Sequence, residues 1–169
     1  MGKLYLFRGK AATGKTMMTN LLSSELRIPV IRKDDVYDSL ANQGLGHAIN
    51  NRLSYEIMAK MINTSILNHC SLIIDASIAH TPYLMEFMSK LMLDNTSIQH
   101  FLCICSDEEK WKKRIESRIE NPSPNQLFTS AKEALEHYQK YEIKPINDEV
   151  ILDSAKDIDE LMHIVKSNI

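Results

Sequence analysis

The sequence predicts an α/β fold in which five parallel strands form one sheet with helices on both faces. Short apolar runs, each long enough for one strand, alternate with longer segments whose apolar residues recur at helical spacing. A helix between two strands returns the chain to the same end of the sheet and therefore favours parallel pairing. The chain has 169 residues and shows no internal repeat or long linker. We therefore predict a single domain that covers residues 1–169.

The predicted elements alternate from the N-terminus to the C-terminus. Apolar runs predict strands at residues 3–8, 29–32, 71–75, 98–105 and 149–153. Helical spacing predicts helices at about residues 15–27, 35–40, 52–69, 107–120, 129–142 and 157–167. A further helix begins at Pro82, and its inward face is predicted to carry Leu84, Phe87, Met88, Leu91 and Met92.

The composition is that of an ordinary soluble globular protein. Hydrophobic residues make up 44% of the chain, charged residues 25%, and the net charge is −2. That charge gives no basic footprint of the kind that nucleic-acid-binding proteins carry. The three cysteines lack metal-type spacing, which favours reduced thiols and a cytoplasmic location. No apolar run approaches the length of a membrane span or a signal segment, so we expect no membrane association.

The loop after the first strand has the sequence of a phosphate-binding site. Residues 9–16 read G-K-A-A-T-G-K-T and match the pattern G-x-x-x-x-G-K-[ST] at every required position. Such a loop points its backbone N–H groups at phosphate oxygens, and the helix that follows adds the positive end of its dipole. The residues expected to contact the nucleotide phosphates are Gly9, Ala12, Thr13, Gly14, Lys15 and Thr16. Lys15 would bind the β- and γ-phosphates of ATP, and the Thr16 hydroxyl would bind Mg²⁺.

Two aspartates, each at the end of a predicted strand, are candidates for the acidic residue that holds Mg²⁺ together with Thr16. Asp75 ends the predicted third strand, and Asp153 ends a similar apolar run near the C-terminus. An acidic residue at the end of such a strand can hold Mg²⁺ directly or through water. We favour Asp75 because of its place on the third strand, and we expect the loop after Asp153 to lie near the nucleotide base.

Two adjacent carboxylates follow the second predicted strand. Asp34 and Asp35 lie at its carboxyl end, which is the functional edge of a parallel α/β sheet. Phosphoryl transfer to a hydroxyl needs a carboxylate that orients the acceptor and takes its proton. The alternative is a structural one, because an aspartate before a short helix satisfies free backbone N–H groups. One of the pair could cap the helix while the other takes part in chemistry.

Arg114 and Arg118 are candidates for closing over the phosphates. Their four-residue spacing places both guanidinium groups on one face of a helix. That helix leads into a proline-rich segment, so we predict a small lid at about residues 114–130. The alternative is a solvated helix face on which the arginines pair with Glu116 and Glu120.

These features together resemble the small P-loop kinases with AAA-type ATP-binding domains. That group includes shikimate and gluconate kinases, chloramphenicol phosphotransferase and the 5′-kinase domain of polynucleotide kinase. The resemblance implies a three-layer P-loop NTPase fold. It also implies that Asp34 is the general base, that Arg114 contacts the adenine end of ATP, and that Arg118 contacts the phosphates.

The resemblance has one departure, at Tyr37. Nucleic-acid kinases carry an arginine there that holds a substrate phosphate, so Tyr37 and the net charge of −2 argue against a polynucleotide acceptor. The predicted function is therefore transfer of the γ-phosphate of Mg·ATP to a hydroxyl of a small molecule or nucleoside. Lys15, Asp34 and Arg118 would be catalytic, and the acceptor would contact Asp34, Asp35, Tyr37 and Arg52. The alternatives are a polynucleotide 5′-hydroxyl kinase and a nucleotide-binding regulator with little transfer activity. Under each of these functions we expect a monomer or a homodimer.

Overall fold

The computed structural model describes residues 2–93 and 96–169, which form five strands and seven helices. The strands are β1 (Lys3–Gly9), β2 (Val30–Arg32), β3 (Leu72–Asp75), β4 (Ser97–Ile104) and β5 (Val150–Asp153). The helices are α1 (Lys15–Leu26), α2 (Lys33–Ala41), α3 (His47–Leu67), α4 (Thr81–Met88), α5 (Glu108–Glu120), α6 (Ala131–Gln139) and α7 (Ile158–Lys166).

The strands form one parallel sheet in the order β2-β3-β1-β4-β5. The chain runs from the central strand β1 to the edge strand β2, returns to β3, and then continues on the other side of β1. Ligands of open α/β sheets bind outside the carboxyl ends of the strands where the strand order reverses. The loop after β1, the start of α2 and the end of β3 all lie at that place, so the topology brings the predicted site residues to one edge.

Alternate side chains of β1 enter two separate cores. Leu4 and Leu6 pack on one face with α3 and α4, whereas Tyr5 and Phe7 pack on the other face with α1 and α7. This alternation is the two-residue period of a strand, and both faces are apolar because helices cover both. The arrangement confirms the predicted three-layer fold with a five-stranded parallel sheet.

Four helices differ in extent from the sequence prediction; one of them, α6, covers Ala131–Gln139 rather than about residues 129–142. The helix at α2 begins at Lys33, so Asp34 and Asp35 lie inside its first turn and Arg32 is the N-cap residue. Both carboxylates therefore face the positive end of the helix dipole rather than capping it. The helix at α3 begins at His47 rather than at residue 52. The helix at α4 ends at Met88, and Met92 is 54% exposed, so the inward position predicted for Met92 was wrong.

A buried ion pair fastens the carboxyl end of β1 to its surroundings. Arg8 donates two hydrogen bonds to the Glu149 carboxylate at 2.7 and 2.6 Å, and both side chains are fully buried. The same guanidinium donates to the Ala79 carbonyl at 2.8 Å and to the Lys144 carbonyl at 2.7 Å. The residue before the phosphate-binding loop is thus held in place by four hydrogen bonds.

Across residues 2–93 and 96–169, none of the helices has the length and apolarity that a bilayer span requires.

Candidate active site

A cavity of about 500 Å³ opens at the carboxyl edge of the sheet. One side, called here the loop half, is formed by the loop after β1 and by α5, and it is lined by Gly9, Ala12, Gly14, Lys15, Thr16 and Arg118. The other side, called the helix half, is formed by α2, α3, α4 and the loop after β3, and it is lined by Lys33, Asp34, Arg52, Tyr55, Ser77 and Phe87. The two halves share one space, so groups bound in them can meet.

The loop after β1 owes its shape to two glycines with positive φ. Gly9 has a φ of +138°, and a Cβ there would lie 2.1 Å from the Cys103 carbonyl oxygen. Gly14 has a φ of +84° and is the N-cap residue of α1. Side chains other than hydrogen disfavour such φ values, and at Gly9 there is no room for one. Thr13 closes the loop from within by donating its hydroxyl to the Lys10 carbonyl at 2.8 Å.

Lys15 is held inside the loop by backbone carbonyls. Its ammonium donates to the Gly9 oxygen at 3.0 Å and to the Lys10 oxygen at 2.7 Å, and the residue is 7% exposed. Burial lowers the pKa of Lys15, although the nearby Asp75 carboxylate opposes the shift. A partly desolvated ammonium at the floor of the loop is suited to exchange these carbonyls for phosphate oxygens.

Thr16 and Asp75 converge at the end of β3. The Thr16 hydroxyl donates to Asp75 Oδ2 at 3.0 Å, and Thr19 donates to the same oxygen at 3.3 Å. Arg32 Nε also donates to this oxygen, at 3.2 Å. A hydroxyl and a carboxylate at this separation fit Mg²⁺, which takes one or two protein oxygens and completes its octahedron with phosphate oxygens and water. Because Arg32 already pairs with Asp75, the second oxygen of the carboxylate is the one better placed for a metal or its water.

The two adjacent aspartates of α2 have different surroundings. Asp34 lines the cavity, and its Oδ1 accepts a hydrogen bond from the Ser77 hydroxyl at 3.0 Å. The side chain of Asp35 is 68% exposed and pairs with Arg32 at 3.1 Å. Asp35 does not line the cavity. The geometry therefore separates Asp34, which faces the space shared with Lys15, from Asp35, which helps to fix Arg32.

The two arginines of α5 also take different positions. Arg114 donates to the Ser154 hydroxyl at 2.7 Å, to the Ser154 carbonyl at 3.1 Å and to the Ala12 carbonyl at 3.4 Å. It thereby joins the phosphate-binding loop to the loop after β5. Arg118 lies one turn later and lines the cavity. Residues 125–128 of the predicted lid line the cavity as well, and Phe128 is anchored in a third core cluster with Trp111 and Ile115.

Two residues expected at the acceptor differ in their access to the cavity. Arg52 lines the outer part of the helix half and pairs with Glu56 at 3.4 Å. Tyr37 is 4% exposed and does not line the cavity. Its hydroxyl shares a hydrogen bond with His47 Nδ1 at 2.8 Å. Tyr37 therefore supports the wall from behind instead of forming its surface.

Sequence reasoning missed two side chains that hold the loop from outside. Trp111 donates its indole N–H to the Ala11 carbonyl at 2.8 Å, and the Ala11 N–H donates to the Tyr138 hydroxyl at 2.8 Å. Burial raises the pKa of Tyr138, so the phenol stays protonated at neutral pH. Both residues lie about a hundred or more positions from Ala11 along the chain. No local pattern could have placed them there.

Solved structures with this fold are similar along nearly the whole chain. A candidate kinase from Chloroflexus aurantiacus J-10-fl has 21% identity and a TM-score of 0.73, covering 99% of this chain and 98% of that one. A gluconokinase from Sinorhizobium meliloti 1021 has 11% identity and a TM-score of 0.68, covering 99% and 90%. The APS kinase CysC from Mycobacterium tuberculosis, in complex with AMPPNP and APS, has 15% identity and a TM-score of 0.68, covering 99% and 96%.

The family assignment rests on sequence as well as on shape. No curated protein matches the chain in a sequence comparison. Residues 4–141 match the family AAA_33, described as an AAA domain. That range holds the phosphate-binding loop, Asp34, Asp75 and both arginines of α5. The solved kinases share the predicted three-layer P-loop NTPase fold, and the chain belongs to the AAA domain family AAA_33.

Proposed function

We propose that the protein transfers the γ-phosphoryl group of Mg·ATP to a hydroxyl group of a small-molecule or nucleoside acceptor. The observation that carries the proposal is the shared cavity, in which the Asp34 carboxylate faces the same space as Lys15 and Thr16. A site that only bound a nucleotide would need the loop half alone. A carboxylate in the helix half supplies the second requirement of a kinase, a group that handles the acceptor hydroxyl.

ATP would bind with its phosphates on the loop after β1. The Lys15 ammonium would leave the Gly9 and Lys10 carbonyls and bind phosphate oxygens. Thr16, with Asp75 behind it, would hold Mg²⁺, which supplies charge neutralisation at the β- and γ-phosphates when bound. Arg114, anchored on Ser154, would border the adenine end of the nucleotide.

Transfer itself would depend on Asp34 and Arg118. Ser77 fixes the Asp34 carboxylate through one oxygen, so Asp34 can orient the acceptor hydroxyl and accept its proton as the oxygen attacks phosphorus. Arg118 would stabilise the charge on the transferring phosphoryl group. The lid at residues 125–128 would exclude water, which otherwise competes as the acceptor.

The free thiols of Cys70, Cys103 and Cys105 fit a reducing cytoplasmic setting.

The substitution Lys15→Met tests the loop half. It removes the ammonium but keeps a side chain of similar length, and we expect phosphoryl transfer to fall by about 100-fold or more. Lys10→Met is the matched control, because the Lys10 side chain packs over Trp111 and Tyr138 rather than lining the cavity. Transfer is followed with radiolabelled ATP over a panel of nucleosides, sugars, aminoglycosides and short oligonucleotides. Unchanged turnover in Lys15→Met would show that the loop does not bind the phosphates as proposed.

A further inference from the structure

Lys33 is a buried cation at the centre of the helix half that the proposed reaction leaves without a task. The residue is 5% exposed and lines the cavity beside Asp34. Its ammonium lies 3.8 Å from Asp34 Oδ1, which is beyond hydrogen-bond distance. That same oxygen already accepts the Ser77 hydroxyl at 3.0 Å. Within residues 2–93 and 96–169, the Lys33 ammonium makes no hydrogen bond.

Aromatic faces give this ammonium only partial compensation for its burial. It lies 4.3 Å from the centre of the Tyr37 ring and 6.0 Å from that of Tyr55. Cation–π contacts of this kind are worth less than a charged hydrogen bond, and they leave the three N–H donors of the ammonium without a protein acceptor. Burial lowers the pKa of Lys33 even though the carboxylates of Asp34 and Asp38 oppose the shift. The charged form is therefore short of protein partners on this side of the cavity.

The other cations of the helix half are in a different situation. Arg52 pairs with Glu56 at 3.4 Å, and Lys90 pairs with Glu86 at 3.3 Å. All four of these side chains are at least 40% exposed, so water already solvates their charges. Exposed ion pairs of this type contribute little to stability or selectivity. Among the charged groups of the helix half, Lys33 is therefore the one whose electrostatic energy a bound anion would lower most.

We infer that the acceptor is an alcohol that carries an anionic group close to the hydroxyl that receives phosphate, and that Lys33 binds this group. The inference rests on the proposed function and specifies its substrate class. Asp34 gains the hydroxyl proton during transfer and thereby loses its charge, which would leave Lys33 without its nearest carboxylate. A carboxylate or phosphate on the acceptor supplies the negative charge throughout the reaction and uses the free N–H donors of Lys33.

Matched acceptors test the inference in the unaltered protein. Gluconate and glucose differ at a carboxylate, whereas adenosine 5′-phosphate and adenosine differ at a phosphate. We expect kcat/KM for the anionic member of at least one pair to exceed that of its neutral partner by about 10- to 100-fold, which is the value of a charged hydrogen bond. The pair that shows the preference identifies the type of anion.

Lys33→Met then assigns the preference to its residue. The variant should raise KM for the anionic acceptor by about 10- to 100-fold while kcat changes less, because Lys33 binds a group that does not react. Lys60→Met, at an exposed position on the outside of α3, is the matched control and should keep the preference. A wild-type protein that uses neutral alcohols as well as anionic ones would overturn the inference and leave the proposed function intact. A preference that survives in Lys33→Met would overturn the role of Lys33, and transfer to no alcohol at all would overturn the proposed function itself.

Discussion

The loop half and the helix half of the cavity are built in different ways. Most of the loop half comes from one continuous stretch, residues 9–16, to which α5 adds Arg118. Two glycines determine the path of this stretch, and its backbone carbonyls hold the Lys15 ammonium. The helix half is assembled from α2, α3, α4 and the loop after β3, and its contacts are made by side chains. A backbone site recognises any triphosphate of the right shape, whereas a side-chain site can be changed residue by residue. In the proposed reaction, the loop half would therefore bind the nucleotide and the helix half would select the acceptor.

The largest effect expected from the helix half is that of Asp34→Asn. The amide cannot take a proton from the acceptor, so kcat should fall by about 100- to 10,000-fold. The affinity for Mg·ATP should stay near that of the wild type, because Asp34 contacts Ser77 and not the loop after β1. Steady-state kinetics and calorimetric titration with ATP measure the two quantities separately.

Asp35→Asn is the control for that experiment, since the side chain is two-thirds exposed and pairs with Arg32. It removes the same charge from the adjacent position. Loss of activity in Asp35→Asn, with normal activity in Asp34→Asn, would move the base by one residue and remove the main support for the proposed function.

The same contrast explains how far the sequence alone could predict this molecule. The phosphate-binding loop, the parallel sheet and the partners Thr16 and Asp75 follow from local patterns, because strand ends and glycine spacing determine them. Tyr37 shows where such reasoning stops. Counting along a family motif placed it at the acceptor, but α2 turns it under Lys33 and His47 covers its hydroxyl. Which residues of α2 reach the cavity depends on how α3 packs against α2. The spacing of residues within α2 does not determine that packing.

A smaller effect is expected from Arg114→Met, which acts on the loop half. The variant loses the hydrogen bonds that join Ala12 to Ser154, so the two loops should no longer hold the nucleotide in one position. We expect KM for ATP to rise by about tenfold, the cost of one charge-assisted contact, with a smaller change in kcat. Lys113→Met, at the exposed neighbouring position, should behave like the wild type. If Arg114→Met lowered kcat and left KM unchanged, the arginine would belong with Arg118 at the transferring phosphoryl group.

The smallest expected effect tests whether a side chain from outside residues 9–16 helps to shape the loop half; Tyr138 lines the cavity and contacts this loop. Tyr138→Phe removes the hydroxyl that accepts the Ala11 N–H and leaves the ring packing with Trp111 and Phe128 in place. One lost hydrogen bond at a part-buried amide costs about 1 kcal/mol, which corresponds to about a fivefold rise in KM for ATP. Tyr141→Phe is the control, because that ring is half-exposed and does not line the cavity. If the two variants bind ATP equally well, the loop keeps its shape through its own glycines and Lys15. The hydrogen bond from Ala11 to Tyr138 would then contribute nothing measurable to ATP binding.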